Sequence, residues 1–333
     1  MLKKLNFDDG LVRAEWQDLY CRNHHLFPYA SREYNELFNK YFRFNGKRLF
    51  LQKRFYGFYD ENERLQIIVP LCIKGKAIYI FGDFGNGEIL DFIYPYNLEK
   101  KYFQELLQDL QQKFTGCRLV LNRLAPNSPL RLWLEQNKYK SVRKKSMSHL
   151  RLPASYEEYL QSLPPLVQND VRRADKFMSE LGVPYRMECS RGSINDELRR
   201  KYSRLYEKKD TDMTGGMLNA WTEKCSRRKF NALSAACTRE SNSFNSCLYI
   251  GNKLSAFTAG FFDLDERQLF MRKSAASMHY AKHLTTVFLY MQTIKFLIEQ
   301  TDFEWLDIGD AREKYRHCLG CEEYCCYSYE IQL

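Results

Sequence analysis

The chain has no long hydrophobic run. Its longest apolar segments, such as Ile67 to Ile73, have the length of a strand and are far shorter than the roughly 20 residues that cross a bilayer. The first residues, Met1 to Asp8, contain two lysines but no apolar stretch after them, so we expect neither a secretory signal nor a membrane span.

The sequence also lacks several familiar frameworks. Its eleven cysteines show no evenly spaced pattern of the kind that cross-links small secreted domains, which indicates free thiols in a reducing cytoplasm. No Gly-x-Ser-x-Gly, P-loop or dinucleotide fingerprint is present, so nothing points to the corresponding hydrolases, NTPases or dehydrogenases.

What is present is a globular composition. The chain has 333 residues, 44% of them hydrophobic and 28% charged, which predicts about two domains, each with its own core. Aromatic residues make up 15%, and their helical and strand-like spacing favours core packing over stacking surfaces. The net charge of +10 permits an anionic partner, whether nucleic acid, a phosphorylated cofactor or a membrane surface.

Hydrophobic periodicity divides the first half into two helices, three strands joined by short polar turns, a further helix and a short strand. The predicted ranges are Leu11 to Tyr20, Ser31 to Phe44, Leu49 to Tyr59, Leu65 to Ile73, Ala77 to Phe81, Leu98 to Phe114 and Arg118 to Asn122.

The second half repeats this order, which predicts an internal duplication with domains at 1–150 and 151–333. The predicted ranges are Asp196 to Lys208, Leu218 to Cys237, Ser246 to Ile250, Leu254 to Phe262, Gln268 to Lys273, Lys282 to Glu299 and Glu304 to Ile308, with a last strand Tyr324 to Ile331. Between the halves, Tyr156 to Leu163 and Leu166 to Leu181 are predicted helices, the second closed by Gly182.

Several stretches resemble the GNAT acyltransferase superfamily, in the CelD-like branch of cellulose and exopolysaccharide synthesis that is related to the Fem-type aminoacyl transferases. They are Asn169 to Lys176 followed by Gly182, Leu248 to Ala256, Leu306 to Asp310, Lys314 to Arg316, Ile68 to Leu71 and Leu90 to Tyr94. The resemblance implies an α/β fold of two tandem GNAT-like domains, with mixed, mostly antiparallel sheets flanked by helices. It also implies transfer of an acyl group from a carrier, acetyl-CoA or another acyl-CoA as co-substrate, to an amine.

Two positions depart from the family pattern. The Gly-rich turn that binds the coenzyme A pyrophosphate corresponds here to Met278 to Leu284, which contains no glycine, and the terminal Tyr-Lys pair is Tyr315-Arg316. The predicted donor site is therefore the helix start itself, with its unpaired N–H groups and positive dipole end. Its cofactor-binding residues are Ala281, Lys282, His283 and Thr285, and the alternative is an ordinary helix start.

The predicted catalytic residues are Asp307 and Tyr315. A carboxylate at a strand end beside Trp305 can have a raised pKa and act as a base toward an ammonium, although Asp307 could equally accept N–H bonds from its own loop. Tyr315 could donate a proton to a leaving thiolate. Substrate binding is predicted for Asp310 and Arg316, because guanidinium suits bidentate recognition of a carboxylate or phosphate.

In the first half, Asp91 and Tyr94 are predicted to form a wall of the acceptor pocket. We expect no metal: His317-Cys318-x-x-Cys321 with Cys325-Cys326 resembles a zinc site, but adjacent residues of the last strand face opposite ways.

The expected partner is an amine acceptor, either a small molecule or a cell-envelope precursor. Two alternatives remain open. One is a Fem-like transferase that uses aminoacyl-tRNA and binds its phosphates with Arg172, Arg173 and Lys176. The other is a binding module that has lost the donor site.

Overall fold

The computed structural model describes residues 1–23, 26–42, 52–83, 88–213, 242–263, 267–277, 279–280, 282–310 and 319–333. The predicted helix Leu218 to Cys237 lies outside these ranges. Within them the chain forms two compact units, and no helix there is long and apolar enough to span a membrane.

The first unit comprises Met1–Ser146 and Tyr324–Leu333. Its helices are α1 (Gly10–Cys21), α2 (Arg32–Phe42), α3 (Lys101–Lys113) and α4 (Pro129–Gln136), and its strands are β1 (Leu2–Lys4), β2 (Gln52–Tyr59), β3 (Leu65–Lys74), β4 (Ala77–Ile80), β5 (Arg118–Leu124) and most of β12 (Glu322–Gln332). The strands lie in the order β1-β2-β3-β4-β5-β12. Every neighbouring pair is antiparallel except β4 with β5, which are parallel.

Aromatic rings fill the core of the first unit. Phe7 stacks on Phe55 with ring centroids 4.4 Å apart, and Phe38 meets Phe81 edge to face at 4.6 Å. Trp16 is fully buried, and its Nε1 donates to the carbonyl oxygen of Ala30 at 2.9 Å. Burial of one such apolar side chain contributes roughly 1.5–3 kcal/mol. In this unit, aromatic residues serve packing, as their spacing in the sequence indicates.

The second unit comprises Met147–Glu323. Its helices are α5 (Tyr156–Ser162), α6 (Pro165–Glu180), α7 (Asp196–Met213) and α8 (Lys282–Gln300), and its strands are β6 (Arg143–Arg151), β7 (Tyr185–Arg191), β8 (Ser243–Ile250), β9 (Lys253–Asp263), β10 (Gln268–Ala276) and β11 (Trp305–Asp310). Strand β6 belongs to this unit from Met147 onward. The strands lie in the order β6-β11-β10-β9-β8-β7. Here β10 and β11 form the parallel pair.

Each face of the second sheet has its own helices. Leu306 and Ile308 of β11 pack with α6 and α8 in one hydrophobic cluster, so these helices cover what we call the α8 face. Tyr202 of α7 stacks on Phe257 of β9 at 3.9 Å in a separate cluster, which defines the α7 face. Because strand residues alternate between faces, Trp305 and Asp307 lie on the α7 face.

The internal duplication is confirmed in the order of elements. In each unit an antiparallel three-strand meander leads into a helix and then a strand parallel to the last of the three: β2-β3-β4-α3-β5 and β8-β9-β10-α8-β11. The sequence boundary left all residues from 151 onward in the second half. In the structure Tyr324–Leu333 belongs to the first unit, because β12 hydrogen-bonds to β5.

Three elements have no counterpart in the predicted ranges, namely β1, α4 and β7, and the residues of a fourth, β6, alternate only weakly in hydrophobicity. β1 has only three residues, and β7 is largely exposed, so neither carries an apolar pattern. A signal for α4 was present, since Ser128 accepts from the Arg131 N–H as N-cap and Pro129 occupies the first turn, a pairing that typically starts a helix.

Candidate active site of the second unit

The parallel strands β10 and β11 stop pairing after Phe270 and Asp307. At that point each strand carries an extra residue against its other neighbour: Arg272 on β10 against β9, and Ile308 on β11 against β6. Such bulges bend a strand and redirect its side chains. Gly260 makes the first bulge possible, because a Cβ there would meet the Phe270 carbonyl oxygen at 1.9 Å.

A buried ion pair joins the two bulges. Arg272 Nη1 lies 2.5 Å from Asp307 Oδ1, with the two side chains 7% and 1% exposed. Asp307 Oδ1 also accepts the Gly309 N–H at 2.7 Å, and Gly309 takes a positive φ of 79° that favours glycine. Asp307 therefore holds the local backbone. This is the structural role, acceptance of an N–H bond from its own loop, that the sequence allowed as the alternative to catalysis.

His149 lies beside this pair and was missed by sequence reasoning. It sits on β6 directly across the ladder from Asp307, so both side chains are on the α7 face. Its ring stacks on Trp305, with centroids 4.7 Å apart and an interplanar angle of 29°. Its Nε2 lies 3.7 Å from Glu322 Oε2, and its side chain is 25% exposed. No local sequence signal pairs β6 with β11, because the two strands are far apart in the chain.

The predicted donor site lies at the same edge of the sheet. α8 begins shortly after β10 ends, so its N-terminus lies near the carboxyl ends of β10 and of its parallel neighbour β11. His283 Nε2 is 3.4 Å from Asp170 Oδ2 of α6, and Arg173 Nη1 is 3.2 Å from Asp170 Oδ1. The Arg173 guanidinium thus compensates the negative charge of the Asp170 carboxylate at the start of α8.

The other predicted residues of this unit are placed only in part. Thr285 is fully buried, so its side chain belongs to the packing of α8 rather than to an open surface. The backbone of Asp310 pairs with Met147. Ala281, Tyr315, Arg316 and the side chains of Lys282 and Asp310 lie outside the described residues, so their predicted roles stay predictions.

Asp91 and Tyr94 do not line an open pocket. Both are buried in the first unit, 7% and 0% exposed. The Tyr94 hydroxyl and the Ser128 hydroxyl donate to Asp91 Oδ2 at 2.8 and 2.6 Å, and the Phe92 N–H donates to Oδ1 at 2.8 Å. This placement corrects the predicted pocket wall: the polar atoms are used inside the fold, where an unpaired polar group would be costly.

The start of α4 completes this network. Its Leu130 N–H donates to the Tyr94 hydroxyl at 3.2 Å and its Arg131 N–H to the Ser128 hydroxyl at 3.0 Å. Two hydroxyls therefore connect the positive end of the helix to the carboxylate. The pKa of Asp91 is raised to about 7, because the effect of burial outweighs the hydrogen bonds from Ser128, Tyr94 and Phe92, which lower it.

In the first unit, a different cluster lies where β4 and β5 stop pairing after Tyr79 and Val120. Arg123 Nη2 lies 2.5 Å from Asp83 Oδ1 and 3.6 Å from Glu88 Oε2, and its Nε donates to the Glu88 carbonyl oxygen at 2.6 Å. Burial lowers the pKa of Arg123, but the carboxylates of Asp83 and Glu88 raise it above its ordinary value. Sequence analysis assigned no carboxylate to this strand end, and Asp83 supplies one from the preceding loop.

The cysteines near the end of the chain lie as the strand prediction requires. Cys325 and Cys326 are consecutive residues of β12, half-buried and buried respectively. His317 and Cys318 fall outside the described residues. Among the residues that are described, no group of histidine, cysteine and acidic side chains could hold a metal ion.

Comparison with solved structures identifies the architecture. The chain is similar to FemX, with 10% identity, a TM-score of 0.62 and 99% of this chain and 97% of that one covered. It is similar to L-PGS from Bacillus licheniformis, with 9% identity, a TM-score of 0.59 and 96% and 91% covered. A tandem GNAT protein from the clavulanic acid biosynthesis pathway, solved without AcCoA, gives 11% identity, a TM-score of 0.54 and 100% and 98% covered.

These likenesses show the fold: the chain consists of two GNAT-fold units in tandem. The tandem GNAT-like fold that the resemblance implies and the α/β fold class are thereby confirmed. No protein-family model and no curated protein sequence matches the chain.

Proposed function

We propose that the protein is an N-acyltransferase that moves an acyl group from acyl-CoA to an amine, either a small molecule or a cell-envelope precursor. Acetyl-CoA is the donor to test first. The observation that carries this proposal is the edge of the second sheet, where β10 and β11 stop pairing beside the start of α8. A reacting acyl group could enter between the strands there while its phosphates meet the helix N–H groups.

The residues at α8 suit an anion. α8 has 19 residues, so its first N–H groups carry the positive end of a full helix dipole. His283 adds a ring donor, and Lys282 adds a cation by its place in the sequence. Bound there, acyl-CoA would supply the thioester, while this chain's residues on the α7 face position the amine and accept its proton.

Donor binding can be tested at Lys282. We expect Lys282→Gln to weaken coenzyme A binding at least several-fold in calorimetry, because it removes a charge beside the phosphates. The matched control is Lys295→Gln, which removes the same charge 13 residues further along α8, about 20 Å away. Equal dissociation constants for wild type and Lys282→Gln would reject the helix start as donor site. A folded chain that binds neither acetyl-CoA nor a longer acyl-CoA would support the alternative of a binding module that has lost the donor site.

A second candidate, a Fem-like transferase that binds tRNA, is favoured by an unpaired group of cations. Lys138, Lys140, Arg143 and Lys144 lie exposed within seven residues of the first unit, and none has an ion-pair partner in the described part of the chain. We call this group the basic strip. Such uncompensated charge suits a phosphate backbone.

Two of the three cations on the helix face first considered for that role have an acidic partner. Arg173 pairs with Asp170 and Lys176 with Glu180, while Arg172 donates to Asn169 and Gln168. The two surfaces can therefore be compared directly by binding of unfractionated tRNA in 50 and 200 mM salt.

Neutralising the basic strip with four glutamines should reduce the salt slope of tRNA binding by about 3 to 4. Neutralising Arg172, Arg173 and Lys176 should change it less. A wild-type chain that binds no tRNA in 50 mM salt would exclude this candidate.

A further inference from the structure

The side chain that could accept a proton from an amine must be within reach of it. Asp307, the carboxylate that the sequence singles out, is poorly placed for this. It is 1% exposed, and its Oδ1 is already engaged by the Arg272 guanidinium and the Gly309 N–H. Its contacts make it a positioning residue for the two bulges.

We propose that His149 is the proton acceptor of this site, an inference that rests on the N-acyl transfer proposed above. His149 is the cross-strand neighbour of Asp307 on the same sheet face, and directly opposed residues have Cβ atoms about 4.5–5.5 Å apart. Its imidazole is therefore next to the point where β10 and β11 stop pairing, and a quarter of the side chain is open to solvent.

The surroundings hold the ring in one orientation. Trp305 stacks against it. Arg151 is the next residue of β6 on that face, and its guanidinium lies 5.9 Å from the centroid of the same Trp305 ring. The Glu322 carboxylate, 3.7 Å from Nε2, favours the imidazolium that forms after proton transfer. On the same face, Arg272 pairs with Asp307, and Lys273 donates to the Tyr206 hydroxyl of α7 at 3.1 Å.

In the transfer, the amine nitrogen forms a bond to the acyl carbon and the C–S bond of the thioester breaks. The proton lost by the nitrogen passes to a ring nitrogen of His149. The electron pair of the C–S bond leaves with the sulfur as thiolate, which takes a proton from solvent. Histidine is the side chain that most often serves as a general base, because its imidazole ring can both accept and release a proton.

The first test needs no turnover. In the full-length chain labelled with ¹⁵N-histidine, the ring signals of His149, identified by their loss in His149→Gln, are followed from pH 5.5 to 8.5. A ring that acts as the proton acceptor must exchange between its neutral and protonated forms within this range. A ring that stays cationic to pH 8.5, or neutral down to pH 5.5, overturns the proposal whatever the enzyme acylates.

The second test measures thiol release from acetyl-CoA with glucosamine as the amine. We expect His149→Gln to lower kcat about 10²- to 10⁴-fold and to abolish the acidic limb of the pH profile, with the dissociation constant of coenzyme A within twofold of wild type. Added imidazole should raise the kcat of His149→Gly at least tenfold. A purely structural role of His149 would not allow this rescue.

The two proposals fail differently. A His149→Gln variant that retains the wild-type kcat and pH profile overturns the role of His149 and leaves acyl transfer standing. A wild-type chain that neither binds coenzyme A nor releases thiol overturns the proposed function, and the titration of His149 then decides whether the ring has the properties of a proton acceptor.

Discussion

The two units share one order of strands and helices. They differ in the side chains that lie where the two parallel strands of each unit stop pairing. In the first unit a single guanidinium, that of Arg123, serves two carboxylates, Asp83 and Glu88. In the second, Arg272 pairs with Asp307, and His149 and Trp305 lie beside them. The three charged side chains of the first arrangement are at most 15% exposed, whereas the second leaves the His149 ring 25% exposed. Duplication of a fold thus does not duplicate a site.

The largest effect should come from Arg123. Its replacement by Met leaves the buried carboxylates of Asp83 and Glu88 without their cation, so we expect a loss of about 3–5 kcal/mol in the free energy of unfolding, measured by urea denaturation. If the first unit is structural, coenzyme A binding by the folded variant should stay at the wild-type value. A variant as stable as wild type would mean that the cluster contributes little.

In the second unit, Asp307→Asn should also destabilise by about 3–5 kcal/mol, because the buried Arg272 loses its counterion. The control is the double variant Arg272→Met with Asp307→Leu, which removes both charges and should lose less. Unlike Arg123→Met, Asp307→Asn should reduce thiol release from acetyl-CoA, because the bulges that flank His149 lose their link. Unchanged turnover would separate this ion pair from the active site.

The buried Asp91 predicts a pH dependence that belongs to the first unit. Its pKa is about 7 when folded, against an ordinary 3.8, so between these values the folded unit holds a proton that the unfolded chain has released. Stability therefore falls as pH rises from about 4 to about 7, by roughly 4 kcal/mol in total, and levels out above.

Urea denaturation of wild type and Asp91→Asn across pH 4.5 to 8 isolates this contribution, because all other groups cancel in the difference. The difference should change steadily up to about pH 7 and then become constant. A difference that is independent of pH would show that Asp91 stays ionised in the fold.

A smaller effect is expected at Ser128. Ser128→Ala removes the N-cap of α4, which is worth about 1 kcal/mol, and a hydrogen bond to the buried Asp91, worth a further 1–3 kcal/mol or so. Ser155→Ala is the matched control, since Ser155 caps α5 by accepting the Glu158 N–H and donates to no carboxylate among the described residues. Equal losses in both variants would show that the bond to Asp91 adds nothing.

The helices and strands were predictable because they depend on patterns of residues that are close together in the sequence. The period of apolar residues predicts the meanders, the crossover helices and strand β11, and the Ser128-Pro129 pair marks the start of α4. The site was less accessible. Its central contacts, His149 with Trp305 and Arg272 with Asp307, join strands whose register depends on bulges, and a shift by one residue would turn His149 to the other face.

The return of β12 to β5 has a consequence for synthesis. β5 is complete once residue 124 has been made, but its partner strand begins about 200 residues later. At the usual 5–20 residues per second the ribosome needs roughly 10–40 s to supply it. During that interval β5 is an unpaired edge, open to another nascent chain. The N-terminal unit is thus the last to be completed, and slower translation of the second unit should raise the load on chaperones rather than relieve it.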